Sequence, residues 1–183
     1  WQAGDAYRAH FQRYPVIVFN FKDTKGETFE HCLAAIRRKI AILFDEHRSL
    51  LQGALLSERE AKDFRAIVDE TAARHVLEQA LSDLSAYLRR VHGEKVLILI
   101  DEYDAPIHAG HARGYATQIL DFMRAFLGAT LKTNKSLFRA VVTGVLRIAK
   151  ESLFSDVNNI GVYTLLATRY RTCFGFTEAE VTA

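Results

Sequence analysis

Lys95-Val96-Leu97-Ile98-Leu99-Ile100-Asp101-Glu102-Tyr103-Asp104 is where the chain declares its fold. The apolar run shows no alternation. A strand of that kind suits a parallel sheet, buried on both faces. It ends abruptly in acids, and open α/β sheets bind ligands beyond the carboxyl ends of their strands. Upstream, Leu77, Leu81, Leu84, Leu88 and Val91 form a helical stripe closed by Gly93. Ser57-Glu58-Arg59-Glu60 reads as a capping box opening a helix through Phe64, Ile67 and Val68. Phe29, Cys32, Leu33, Ile36, Ile40, Leu43 and Phe44 give another apolar face, starting near Thr28. Tyr14–Phe21 is the first strand, with Pro15 where no ladder donor is missed.

Downstream, a loop with Pro106, Gly110 and Gly114 leads to a helix marked by Ile119, Leu120, Met123, Phe126 and Leu127. Leu137–Thr143 is the third strand. A short helical turn is expected around Ser152–Val157, and a fourth strand at Gly161–Leu166. Strands alternating with helices predict an α/β sheet covered by helices on both faces.

The chain has 183 residues, 49% of them hydrophobic, enough for one domain with a real core. A net charge of +2 leaves no strong electrostatic footprint for nucleic acid. Arg37-Arg38-Lys39 and Arg89-Arg90 read as solvated helix faces. Cys32 lies on an apolar stripe and Cys173 far from it, so neither a disulfide framework nor a zinc cluster is expected. No apolar run approaches the roughly 20 residues that span a bilayer, and a reducing cytoplasm is the expected compartment. The chain begins at Trp1, its only methionine is Met123, and Thr177 to Glu180 read as a capping box just before the end. These features lead us to expect a piece of a longer protein. Residues 1–172 are expected to be a partial core and 173–183 the start of a further helical segment.

Two adjacent carboxylates after a buried strand are costly unless something cationic meets them. In ATPases with a phosphate-binding loop, such a strand end in Asp-Glu holds Mg²⁺ through the aspartate and polarises water through the glutamate. The run Val96–Ile107 closely resembles a segment of the bacterial AAA-ATPase-like family. Tyr14–Phe21, Phe138–Asn159 and Phe174–Val181 are similar to further segments of that family, in the same order. The resemblance implies a three-layer α/β sandwich of the P-loop NTPase type with a parallel sheet. It implies ATP and Mg²⁺ as cofactors, with Asp101 and Glu102 as the second Walker motif and Asp101 on the metal. Thr143 corresponds to the sensor position, with Asn158 or Asn159 nearby. Arg147 approaches a phosphate or makes a salt bridge at a helix start. Members often carry a nuclease-like domain of the PD-(D/E)XK kind after the ATPase part.

One departure stands out. A phosphate-binding loop ends in Gly-Lys-Ser/Thr, yet none of the ten glycines is followed by lysine. The family places that loop and its strand upstream of Tyr14, so the sheet is expected to lack its first strand. Tyr14–Phe21, Lys95–Ile100 and Leu137–Thr143 should then pair in parallel with Lys95–Ile100 central.

Other constellations point elsewhere. Asp23-Thr24-Lys25 fits a nuclease's acid-x-Lys element, but only Asp5 offers a second acid, and a polar turn closing the strand explains it. His108 and His111 lack the further ligands of a metal site and read as solvated loop residues. The expected function is a Mg²⁺-dependent ATP-hydrolysing protein. The alternatives are a non-catalytic nucleotide-dependent switch or scaffold, and a nuclease-associated domain.

Overall fold

The computed structural model describes residues 4–145, 160–164, 167–169 and 178–182. Three strands form one parallel sheet in the order β1 (Val16–Asn20), β2 (Val96–Asp101), β3 (Leu137–Val142). The apolar run around Ile98 is the central strand, as the family resemblance implies. Val18 stands opposite Leu99, and Leu99 opposite Val141. A register shift near Val96 and Leu97 accommodates Phe138.

Local chemistry sets the helix boundaries. A short helix α1 (Asp5–Arg8) precedes β1. The α2 helix (Phe29–Glu46) starts where the Thr28 hydroxyl accepts the His31 N–H at 3.3 Å. The α3 helix (Glu58–Val68) starts on the expected capping box. Ser57 Oγ accepts the Glu60 N–H, and the Glu60 carboxylate accepts the Ser57 N–H at 2.8 Å. The α4 helix (Arg74–His92) ends at Gly93, whose φ of +73° is the left-handed cap that glycine adopts without strain. Next come α5 (Ala105–Arg113) and α6 (Ala116–Leu131), and a last turn of helix, α7, spans Glu178–Val181. No helix among the described residues is long and apolar enough to cross a membrane.

Pro106 and Gly110 lie in the α5 helix and not in the loop that their residue types predict. Pro106 sits in the first turn, where the missing N–H has no partner to lose. Gly110 lies where α5 crosses α6. A Cβ there would come within 2.6 Å of Ile119 Cγ2 and 3.2 Å of Ala116 Cα. His108 and His111 are therefore exposed positions of a helix rather than of a loop. Among the described residues they join no cluster able to hold a metal.

Both crossovers step the same way across the sheet, from β1 to β2 and from β2 to β3. Right-handed connections then put all their helices on one face. Burial bears this out. Ile17, Phe19, Val96, Ile98 and Ile100 are buried beneath the helices, while Val18 is 61% exposed, Val141 56% and Leu99 39%. The parallel α/β core is as expected, whereas the second helical layer of a sandwich is not among the described residues. The expected strand at Gly161–Leu166 is not seen either: residues 161–164 belong to no strand, and 165 and 166 lie outside the described residues, as does Ser152–Val157. A strand exists only against a ladder partner, and the outer edge of β3 pairs with no described residue.

The core has two aromatic centres. Phe19, Phe21, Phe122 and Phe126 meet between the sheet and α6, and Phe44, Phe64 and Tyr87 meet between α2, α3 and α4. Cys32 is buried in this core, and burial pushes its thiol pKa up.

Where α3 meets α4, Arg90 forks onto Glu60 with bonds of 3.0 and 2.6 Å. That guanidinium first, against some desolvation, holds the Glu60 carboxyl down at about 2. Nearby Asp83 goes the other way. Burial, then the Asp63 and Glu60 charges, push it up to about 6, with Arg59 and Arg90 opposing. A carboxyl raised in the folded state binds protons more readily there than in the unfolded chain. Its contribution is fully present below about 3.8 and is lost as pH rises through about 6. Asp83→Asn should therefore be more stable than the wild type at pH 8 by about 1–2 kcal/mol, because the amide buries no charge. The gap should close on acidification to about pH 4. Urea unfolding at both pH values checks this, and a gap of the same size at both would show that Asp83 is not the titrating group.

Candidate strand-end site

The three strand ends bring together side chains from distant parts of the sequence. Register sets Asn20 opposite Asp101, and Thr143 follows Val142, which faces Ile100. Backbone bonds extend the ladder past the regular strands. Phe21 N–H donates to Asp101 O at 2.9 Å, Thr143 N–H to Ile100 O at 2.8 Å, and Tyr103 N–H to Thr143 O at 3.2 Å. Asn20, Asp101 and Thr143 thus form a polar row across the carboxyl end of the sheet. They share its open face with Val18, Leu99 and Val141.

Asp101 is the hub of that row. Its Oδ1 accepts the Thr143 hydroxyl and the Glu102 N–H, the latter at 3.0 Å. Its Oδ2 accepts the Asn20 amide at 3.2 Å. Asn20 is itself aimed, since its Oδ1 accepts the Lys22 N–H at 2.6 Å. An ionised carboxylate offers about four acceptor sites, and the row fills three of them. The group is therefore held in one orientation while remaining exposed, with acceptor capacity left over.

Glu102 has a φ of +53°, in the left-handed region that a residue with a Cβ adopts at a cost of about 1–2 kcal/mol. Such outliers persist where the surroundings over-determine them, often at functional sites. Here the turn reverses the chain between β2 and α5. Among the described residues, the Glu102 carboxylate is bonded to no protein group.

Of the sequence-predicted site residues, Asp101, Glu102 and Thr143 come together at one end of the sheet. Arg147, Asn158 and Asn159 lie outside the described residues. Asn20 was missed. Its only sequence signal is a polar residue closing the apolar run Val16–Phe19, which says nothing of the strand beside it. The Asp23-Thr24-Lys25 element is a turn closing β1. Thr24 is buried with its hydroxyl on Phe21 O at 2.7 Å, and Asp23 has a φ of +63°. Asp5 precedes β1 and pairs with Arg8 at 3.4 Å, so it supplies no second acid beside Asp23.

A family model described as "Predicted AAA-ATPase" matches residues 2–154. A curated protein of Azotobacter chroococcum mcd 1, described as an uncharacterized protein in the vnfD 5′ region, is 34% identical over 100 residues. That stretch covers 52% of this chain and 19% of the relative, so the chain spans only about a fifth of that protein's length. No solved structure matches the chain.

Proposed function

Since the chain belongs to the predicted AAA-ATPase family, we propose that its strand-end site is the metal- and water-handling half of a Mg²⁺-dependent ATP-hydrolysing centre. The observation that carries this reading is the row Asn20–Asp101–Thr143, which orients one exposed carboxylate at the carboxyl edge of a parallel sheet. The donor set suits Mg²⁺. The ion prefers hard oxygen ligands, keeps several waters and is held by one or two carboxylates together with substrate phosphates. Asp101 would hold it directly or through water. When bound, the ion would supply charge to offset that of the phosphate oxygens.

The remaining roles belong to the chain's own residues. Asn20 and the Thr143 hydroxyl keep Asp101 from rotating. The Thr143 oxygen also retains acceptor capacity towards solvent, which suits a group that senses a water or phosphate there. The Glu102 carboxylate, bonded to no described group, is available to take a proton from the attacking water. The glycines of this sequence supply no Gly-Lys phosphate loop. The reading therefore assigns phosphate binding to Arg147 and Asn158 in part, and chiefly to a loop outside this sequence. A fused nuclease-like domain as partner and a cytoplasmic setting belong to the same proposal.

Mn²⁺, a spectroscopically visible substitute for Mg²⁺, tests the metal assignment without nucleotide. Asp101→Asn is expected to weaken Mn²⁺ binding by at least about tenfold, in line with the loss of a charged oxygen ligand. Paramagnetic titration of the chain and the variant measures it. Equal affinities would remove Asp101 from the metal site.

A further inference from the structure

Asp104 is a buried carboxylate, 5% exposed, that none of the roles above uses. It occupies the N-cap position of α5, where an aspartate ordinarily accepts an N–H of its own first turn. Its side chain makes no such cap. Instead Oδ2 accepts the Val145 N–H at 3.0 Å, across 41 residues of sequence. Gly144 lies against the same carboxylate. A Cβ on Gly144 would stand 2.7 Å from Asp104 Oδ1 and 2.7 and 2.9 Å from Cε1 and Cδ1 of the Tyr103 ring. The segment leaving β3 is thus seated on the Tyr103–Asp104 turn with no room for a side chain between. Tyr103 N–H to Thr143 O adds a backbone bond to the same seam.

We propose that Asp104 is a positioning residue for the strand-end site: its carboxylate clamps Thr143-Gly144-Val145 onto the turn that carries Asp101 and Glu102. The proposal rests on the reading of that site given above. Two loops from different strands must keep the Thr143 hydroxyl on Asp101, and small displacements of positioning groups are expensive at such sites. A charged acceptor on a backbone N–H is a stronger tether than a neutral one. Forgoing the local cap for a contact with the neighbouring strand exit places that tether between the two halves of the site.

Amide hydrogen exchange on the whole chain separates this role from general support of the fold. In Asp104→Ala, the Val145 amide is expected to exchange at least about tenfold faster, near the lower end of what a hydrogen bond to a charged group is worth. The Ile98 amide in the central strand should keep its rate. Asp104→Asn retains an acceptor oxygen and should restore most of the protection at Val145. Gly144→Ala leaves the carboxylate in place but intrudes on it, and should accelerate Val145 in the same way, so the test survives if Asp104→Ala fails to fold. Unchanged Val145 exchange in either alanine variant overturns the proposal. So does equal acceleration at Ile98, which would make the carboxylate a general support. Mn²⁺ titration joins the clamp to the site. Asp104→Ala should bind about tenfold more weakly, the scale of losing an outer-shell partner, and Asp104→Asn nearly as well as wild type. Unaltered Mn²⁺ binding in Asp104→Ala would also overturn it. A wild type that binds no Mn²⁺ would sink the metal reading instead, leaving the exchange rates to decide whether the clamp exists.

Discussion

Glu102→Gln, introduced into a longer protein that carries this chain, is expected to slow ATP hydrolysis by about 10²–10⁴-fold, the contribution of a positioned general base. Nucleotide affinity should stay close to the parental value. The amide preserves the size of the side chain and the turn at φ +53°, which rests on the backbone and on the Asp101–Glu102 N–H bond. What it loses is the ability to accept a proton from water. Asp101→Asn should fail differently. Its amide can no longer accept with both side-chain heteroatoms, so the bond from Asn20 or that from the Glu102 N–H must be lost, while the Thr143 hydroxyl can accept instead of donating, and the metal loses a charged ligand. Steady-state hydrolysis and equilibrium nucleotide binding, measured on the same preparations, distinguish the two patterns. If both variants hydrolysed ATP at the parental rate, the catalytic machinery would not be at this strand end.

Phe126→Ala is expected to cost about 3–5 kcal/mol of stability, the usual range for removing a large buried aromatic side chain. Phe126 is fully buried, and its ring centroid lies 5.8 Å from Phe19, 5.9 Å from Phe21 and 5.8 Å from Phe122. Truncation empties the space between α6 and the sheet and removes three ring contacts at once, and the backbone on both sides is too constrained to collapse into the gap. Val18→Ala provides the contrast. Val18 is apolar and lies in the same sheet, but on the open face, where a change should stay within about 0.5 kcal/mol. Urea denaturation of both variants checks the difference. Similar midpoints for the two would mean that the helices do not cover the face of the sheet described above. The loss in Phe126→Ala is a large share of the roughly 5–15 kcal/mol that holds an ordinary domain together. Its effect on any activity would therefore reflect folding rather than chemistry.

Much of the molecule follows from short-range pattern. The stripes of α2, α3 and α4, the caps at Thr28, Ser57 and Gly93, and the unalternating run of β2 all depend on residues within a turn or two of one another. Such features are legible because helix and strand periods and cap chemistry are local. The same holds for Asp101 and Glu102. A parallel strand that stops at two acids places them at the carboxyl edge of the sheet whatever else the chain does. The resemblance of four separate blocks then supplied the family. Tertiary structure decided the rest, because it depends on which distant residues lie side by side. Asn20 and Asp101 are 81 positions apart, and only the register of β1 on β2 makes the asparagine an orienting group. Asp104 reads in sequence only as one more acid at the strand end, yet its carboxylate is taken by Val145 because β3 ends beside it. Pro106 and Gly110 read as loop, yet α5 forms because α6 crosses where the missing Cβ lets it approach. The apolar run of β2 promised burial on both faces. Two crossovers stepping in one direction put α2 to α6 on a single face, and Leu99 is left on the open side with Val18 and Val141. Handedness and strand order are properties of the whole sheet, and no window of sequence contains them.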